Sequence, residues 1–348
     1  MSNPIVSVVV VNYNGGQHLL ECLSALYLNS DLASEIILVD NASTDGSVID
    51  ALDRYPEVRV LANSTNQGYA RGINAGVRSA RGAFVAILNM DVVVEKNWLS
   101  PLIEFLRDEP NVGAVTPRIM LYEQPQRINA IGQNIHVTGL GFNRKLGCPS
   151  DKADLEPVRV SGLQGGAFAL RTETFRLLGG MNEIFFLYHE DVELSLRLTL
   201  AGLSIYAIPE SVVRHKYSLR MTPEKLNWLE RHRWLSILAT YRLSTFLGLS
   251  PLLLLTETLM AGYCLLRGPS FVNAKARSVH WVLSHRAELK ASRQRAQSVR
   301  RVSDWSLLRD LRWSYDWDQF LTLARQPGGW IREALPRLLA RRAHDRVA

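Results

Sequence analysis

An α/β fold on a mainly parallel central sheet is predicted by three features of this 348-residue sequence. Residues 5–11 (IVSVVVV) are almost wholly β-branched, the pattern of a strand buried on both faces as parallel strands are. Short apolar runs of this kind then alternate with stretches of helical spacing as far as residue 91. Polar residues follow strand after strand, at the carboxyl ends where such sheets bind ligands, although loops are polar in any case.

Each element follows in order. After the first strand and Asn12, Asn14-Gly15-Gly16 turns the chain into a helix marked by Leu19, Leu20, Leu23 and Leu26. EIILVD at 35–40 is a second buried strand closed by Asp40, and Val48, Leu52 and Tyr55 lie at helical spacing beyond a turn-rich loop. Residues 58–61 make a third strand, followed by Asn66 and Gly68 and a helix over 69–80. Residues 83–88 make a fourth, ending in Asn89-Met90-Asp91. The stretch 112–161 reads as short strands and loops, and from Gly162 regular spacing returns through FFLYHEDVELSLRLTLAG at 185–202. Beyond about His215 the chain turns to amphipathic and apolar helical segments.

Composition sets bounds on function. Hydrophobic residues make up 47% and charged residues 21%, the balance of a folded protein. Residues 1–215 carry 17 Lys/Arg against 23 Asp/Glu, whereas 216–348 carry 23 against 10. An acidic body and a basic tail that meets something anionic are expected. Cys22, Cys148 and Cys264 have no metal spacing and suit a reducing compartment. With a strand starting almost at residue one, no signal peptide is expected and the body belongs in the cytosol. GxGxxG after the first strand and GxxxxGK[ST] are both missing, which removes the support for a dinucleotide oxidoreductase or a P-loop nucleotidase.

Several residues carry candidate chemistry. Gly72 and Gly76 suit close backbone approach. Asp40 can cap the loop after its strand or accept hydrogen bonds from a base or ribose. Asn89 and Asp91, at a strand end, suit a hard cation such as Mg²⁺ or Mn²⁺. On a helix starting near His189, Asp191 shares a side with Leu187, Leu194 and Leu198, while Glu193 and Arg197, four apart, form an outward pair. Asp191 then either caps the helix or acts as a general base in a cleft. His215 reads as a satisfied core or surface histidine.

Five ordered blocks, SVVVVNYNGG, ILVDNASTDGS, NQGYARGINAG, AILNMD and GGAFALRTETFRLLGGMNEIFFLYHEDVELSLRLTLAG, resemble the family-two inverting glycosyltransferases, in flavour the rhamnosyltransferase-like branch. The resemblance covers about residues 5–217 and implies a GT-A fold, a nucleotide-binding α/β sandwich. Residues 1–110 would bind the nucleotide sugar and 111–217 the acceptor, with 218–348 a helical basic membrane-associating region. It implies that Asp40, with Asn12 beside it, binds the donor base and ribose, and that Asn66, Gly68 and Asn89 wall the nucleotide. Asp91 corresponds to the last acid of the family's DxD motif and His215 to a position that reaches the metal or diphosphate. Asn89 replaces the motif's first acid, which puts strict metal dependence in question. Gly165, Gly166 and Glu190 fall on the acceptor side, and Asp191 on the catalytic base.

The tail adds an expectation about location. Residues 243–266 carry Glu257 as their only charge, long enough to span a bilayer, but Pro251, Glu257 and the Ser/Thr content favour lying in the interface. A true span, or a helix buried in the body or in an oligomer, are the alternatives. The basic balance suits an anionic membrane surface at its cytoplasmic face, with a lipid-linked saccharide acceptor beside it, and no nucleic-acid module is present. A sugar nucleotidyltransferase would need basic residues beside NYNGG, and a non-catalytic scaffold would tolerate loss of acids that are all retained.

Overall fold

The computed structural model describes residues 4–29, 32 and 34–324. Its first half is built from β1 (Val6–Asn12), α1 (Gly16–Asn29), β2 (Ser34–Asp40), α2 (Ser47–Arg54), β3 (Arg59–Ala62), α3 (Tyr69–Ser79), β4 (Phe84–Asn89), β5 (Val92–Val94) and α4 (Ser100–Asp108). The strands β3-β2-β1-β4 pair in parallel, with Asn12 level with Asp40 and Val11 with Asn89. Their carboxyl ends therefore open along one edge, as the strand-end residues predicted.

The second half extends the same sheet. β6 (Val112–Leu121), β7 (Ile128–Ile131), β8 (Gln133–Ile135), β9 (Gly141–Asn143), β10 (Val158–Val160), β11 (Ala167–Arg171), α5 (Thr172–Leu177), α6 (Glu190–Leu200) and β12 (Ser204–His215) follow in turn. The sheet order is β10-β12-β6-β11-β4-β1-β2-β3. β11 enters antiparallel between β4 and β6, and β12 runs parallel to β6 as far as His215, its last residues also pairing antiparallel with β5. The switch to antiparallel pairing at β11 sets Gly165 and Gly166 against the end of β4, where the Asn89 N–H donates to the Gly166 carbonyl at 3.0 Å.

Alternation along the strands builds a core on each face. Val6, Val8 and Val10 pack with Leu19, Leu23, Leu102 and Leu106 from α1 and α4. Val9, Val11, Ile37 and Val39 pack with Ile73 and Val77 of α3 and with Leu194 and Leu198 of α6. The close approach of α3 is what Gly72 and Gly76 permit, since a Cβ on either would strike Val11 or Val9.

Beyond β12 lie α7 (Pro223–Thr240), α8 (Leu243–Gly248), α9 (Ser250–Arg267), α10 (Pro269–Ser284), α11 (Arg286–Ser298), α12 (Asp304–Asp310) and α13 (Trp317–Ala324). They cover the outer side of α6, whose Val192, Leu196 and Leu200 join Ile237, Leu253, Leu307 and Leu308 in a further cluster. Two sequence expectations are corrected here. Every residue of α6 is buried, so Glu193 and Arg197 form an inward pair, with the guanidinium donating to the carboxylate at 2.8 and 2.7 Å and to Leu178 O at 2.6 Å. Leu187 stands outside the helix and is exposed. The stretch 243–266 is two helices, and no described helix is long and apolar enough to cross a membrane. Glu257 explains part of this: it joins Glu230, Arg233 and Lys275 in a buried network of two acids and two bases, with Lys275 Nζ 2.7 Å from Glu257 Oε2 and Arg233 Nε 2.9 Å from Glu230 Oε1.

Candidate active site

A cleft of about 620 Å³ runs along the strand ends from Val11 and Tyr13, past Asp91 and Asp191, to the helices α7, α9 and α13. At the end nearest β2 and β3 stand Asn41, Asn66, Gly68 and Asn89. Asn66 Oδ1 accepts the Gly68 N–H at 2.9 Å, and Asn41 Nδ2 donates to the Gly68 carbonyl at 3.0 Å. Gly68 has φ +83°, and a Cβ there would collide with the Phe186 carbonyl, which accepts the Tyr69 N–H at 2.7 Å. Only glycine lets the two halves meet at this point.

Asn12 and Asp40 do not line the cleft directly. Asn12 is fully buried and its Nδ2 donates to Asp40 Oδ1 at 3.1 Å and to Ser43 Oγ at 3.0 Å. Asp40 Oδ2 also accepts the N–H of Ser43, three residues on, which ties down the loop after β2. The Asn12 side chain bonds to the loop after β2, and the residue that this loop presents to the cleft is Asn41.

At the middle of the cleft Asp91 sits on the turn between β4 and β5, where β12 brings His215 alongside. His215 Nδ1 lies 3.0 Å from Asn129 Oδ1, which turns Nε2 toward Asp91 Oδ1, 3.3 Å away. That carboxylate oxygen is buried and forms no hydrogen bond. Burial works against the Asp91 charge, but the imidazole outweighs it and holds the acid below the usual carboxylate range. An orphaned carboxylate oxygen facing an imidazole nitrogen fits a hard divalent ion that takes few protein ligands and completes its shell with phosphate oxygens. Among the described residues no cluster of three or more His, Cys, Asp or Glu is placed to hold a metal unaided.

Asp191 opens α6 and faces the same space. Its carboxylate receives three donors: Gly165 N–H and Gln133 Nε2 on Oδ2, and Val192 N–H on Oδ1, each at 2.8 Å. Burial pushes its pKa up, against the lowering effect of those donors. Glu190 beside it is raised by burial and by the Asp191 charge, and its Oε2 has no hydrogen-bond partner. Gly165 touches Asp191 and Gly166 touches His215, so these two glycines join the acid on α6 to the pair at β5 and β12.

The lip between β11 and α6 is strained. Tyr188 and His189 both have left-handed backbones, φ +67° and +73°. Helix α7 holds them: His232 Nδ1 donates to the Tyr188 carbonyl at 2.8 Å, its ring packs on Phe185 at 4.5 Å, and Trp228 stacks on Phe186 at 5.3 Å. Burial, with Arg233 nearby, lowers the His189 pKa to about 3, so this imidazole is neutral. Sequence reasoning missed Gln133, Tyr69, Lys225 and His232. Tyr69, whose Oη donates to the Gly165 carbonyl at 2.8 Å, stood in the block NQGYARG and was within reach. Gln133 reaches Asp191 across 58 positions with no local signal.

Comparison with known proteins fits this geometry. The sequence model described as "Glycosyl transferase family 2" matches residues 7–175. Over 234 residues the chain is 31% identical to N-acetylglucosaminyl-diphospho-decaprenol L-rhamnosyltransferase of Mycobacterium tuberculosis, covering 61% of this chain and 76% of that protein. Among solved structures, GalNAc-T7 with UDP, GalNAc and Mn²⁺ superposes with a TM-score of 0.63 at 18% identity, over 88% of this chain and 56% of that one. A mannosyltransferase from Pyrobaculum calidifontis with GDP-Man and Mn²⁺ gives 0.52 at 16% identity, over 89% and 88%. These two likenesses concern the fold, which is of GT-A type.

Proposed function

Because the chain belongs to glycosyl transferase family 2, we propose that this glycosyltransferase inverts the anomeric carbon as it moves a sugar, in the first instance rhamnose from dTDP-rhamnose, to a hydroxyl of a lipid-linked saccharide. The observation that carries the reading is the shared cleft: Asp191 on one side and the Asp91–His215 pair on the other, joined through Gly165 and Gly166. The mycobacterial relative, an L-rhamnosyltransferase whose acceptor is N-acetylglucosaminyl-diphospho-decaprenol, supports the choice of sugar and of acceptor class.

Residues 1–110 then serve the donor and 111–217 the acceptor, with the helices beyond closing the acceptor end. Asn41, Asn66, Gly68 and Asn89 wall the nucleotide, and Asn12 and Asp40 set the loop that carries Asn41. Asp91 and His215 would hold Mg²⁺ or Mn²⁺, which when bound neutralises charge on the leaving diphosphate. Asp191, fixed by its three donors, keeps a free Oδ1 lone pair for the acceptor hydroxyl. The carboxylate takes the hydroxyl proton, the oxygen bonds to C1 from the face opposite the diphosphate, and the C1–O bond to the diphosphate breaks. Glu190, at the same helix start, lines the acceptor side, and Gln133 holds Asp191 in orientation.

Membrane association is part of the proposal. α8 and α9 bury Leu253, Thr256 and Met260 inward and expose Leu243, Leu247, Leu254, Leu255 and Leu265 outward. A leucine face of this kind on a basic region supports peripheral or monotopic attachment to anionic lipid, at the cytoplasmic face.

The test is nucleoside diphosphate release by the purified chain with dTDP-rhamnose and a panel of UDP- and GDP-sugars, with Mg²⁺ or Mn²⁺, with and without lipid extract. Release that needs one donor and lipid, and falls by about 10²–10⁴-fold in Asp191→Asn with donor binding retained, is the expected result. Turnover near the parent level in that variant would remove Asp191 from the role. Silence with every donor, together with no nucleotide binding, would instead favour a scaffold in polysaccharide assembly.

A further inference from the structure

The acceptor end of the cleft has a composition that the chemistry at Asp191 does not require. Its walls come from the C-terminal helices: Leu226 and Leu229 of α7, Met260 and Tyr263 of α9, Phe320 and Leu323 of α13. Leu226, Met260 and Tyr263 are buried together, and Phe320 and Leu323 pack against them from the side. A hydroxylated sugar would leave so apolar a chamber poorly used, whereas an apolar chain would fill it. The charged floor is neutral within itself, since Glu230 and Arg233 pair with each other and with Lys275 and Glu257.

At the entrance to this chamber stands Lys225. Its ammonium lies 5.0 Å from the Tyr188 ring and 6.0 Å from the Tyr217 ring. Burial alone lowers its pKa, and no carboxylate pairs with it among the described residues. The other cleft cations differ: Lys216 pairs with Glu21 and Arg233 with Glu230. A half-buried ammonium held by two rings and lacking a counter-charge is a receptor for an anion. It sits between Tyr188, three residues before Asp191, and Tyr217, two residues past His215. Lys225 immediately precedes Leu226 on α7, and both line the same cleft as Asp191, so an anion there and a chain attached to it share one continuous space.

We propose that Lys225 and the chamber walled by Leu226, Leu229, Met260, Tyr263, Phe320 and Leu323 form a subsite for a diphosphate-linked apolar chain, the aglycone of the acceptor. The assignment rests on the acceptor reading above and deepens it. Lys225 takes the diphosphate, and the first isoprenoid-like units enter between α7, α9 and α13. The C-terminal helices thereby select the acceptor as well as cover the sheet.

Binding to the full-length protein tests this without turnover. Farnesyl diphosphate, inorganic diphosphate and farnesol are titrated against the chain calorimetrically, each in the presence of excess dTDP and UDP to fill the donor side. Farnesyl diphosphate is expected to bind at least about tenfold more tightly than either partial probe. Lys225→Met should bring it down to the level of farnesol. Met260→Lys should erase its advantage over inorganic diphosphate, and Phe320→Asp on α13 repeats that arm should α9 loosen in the first variant. Three results would each overturn the subsite: displacement of farnesyl diphosphate by the nucleotides, which assigns Lys225 to the donor diphosphate; equal binding of farnesol, which leaves Lys225 without a part; and no advantage over inorganic diphosphate, which empties the chamber of its chain. A chain that binds farnesyl diphosphate as expected yet transfers no sugar would contradict the enzymatic reading alone.

Discussion

At Asp191 two effects oppose each other. Burial favours the protonated acid, while the N–H groups of Gly165, Val192 and Gln133 favour the carboxylate, and the balance stays above the ordinary range. In the proposed role Asp191 works as the carboxylate, so the acid limb of the rate profile should fall at a pH above the ~4 of an ordinary aspartate. A limb at the ordinary position, measured on saturated enzyme, would mean that the cleft is wetter than its burial implies. Glu190 gives a separate reading on stability. Its folded pKa is raised by burial and by Asp191, so the fold is favoured while the group is protonated, and stability is lost as pH rises from the free-glutamate range through the raised value. Glu190→Gln removes a charge whose Oε2 has no partner. The variant should melt with the parent at acid pH and above it at alkaline pH, by about 1.4 kcal/mol for each unit by which the pKa is raised. Parallel melting curves across the whole range would show that Glu190 does not pay for its burial.

At the scale of elements, α7 determines the shape of the lip. Two consecutive left-handed residues cost about 1–3 kcal/mol each and persist only where their surroundings impose them. Here the imposition comes from His232, through its bond to the Tyr188 carbonyl and its contact with Phe185. His232→Ala should lower stability by about 2–3 kcal/mol and reduce turnover more than donor affinity, measured by melting and by nucleotide titration on one sample. α8 and α9 provide a second prediction. Leu247 and Leu254 are 60% and 69% exposed, so Leu247→Asp and Leu254→Asp should leave the melting temperature unchanged while reducing sedimentation with anionic vesicles. Undiminished sedimentation would move the contact to another face.

At the scale of the whole molecule, the catalytic body and the helical tail share their buried charges. Cutting the chain after residue 240 would strip Glu230 and Arg233 of Lys275 and Glu257, and a buried pair deprived of its partners loses about 3–5 kcal/mol. The fragment 1–240 should therefore lose cooperative melting, in addition to losing the lipid attachment proposed for the tail; a sharp transition near the parent's would show that the tail is an independent appendage. The parallel half was legible in the sequence because strands buried on both faces are apolar at every position and Asn12, Asp40, Asn66 and Asn89 mark where they end. Asp191 was legible from its place at a helix start after an aromatic run. Gln133 and Lys225 were not, because their partners lie far along the chain and nothing local distinguishes them from ordinary surface residues. The outward placing of Glu193 and Arg197 failed for a related reason. Spacing of four identifies a pair, but only the cover supplied from far along the chain, by the turn at Leu178 and by Arg295 of α11, decides that the pair is buried.

The order of strands has a consequence for how the protein is made. β12, the last strand, lies between β10 and β6, so the acceptor edge cannot close until residue 215 has been synthesised, and the lip is not secured until α7 follows. The parallel unit β3-β2-β1-β4 can assemble much earlier from local segments. On the ribosome, the edge that carries Asn41, Asn66 and Asn89 would come into being well before Asp191 is set. On the proposed reading, the emerging chain passes through a stage with its nucleotide end in place and its base not yet positioned.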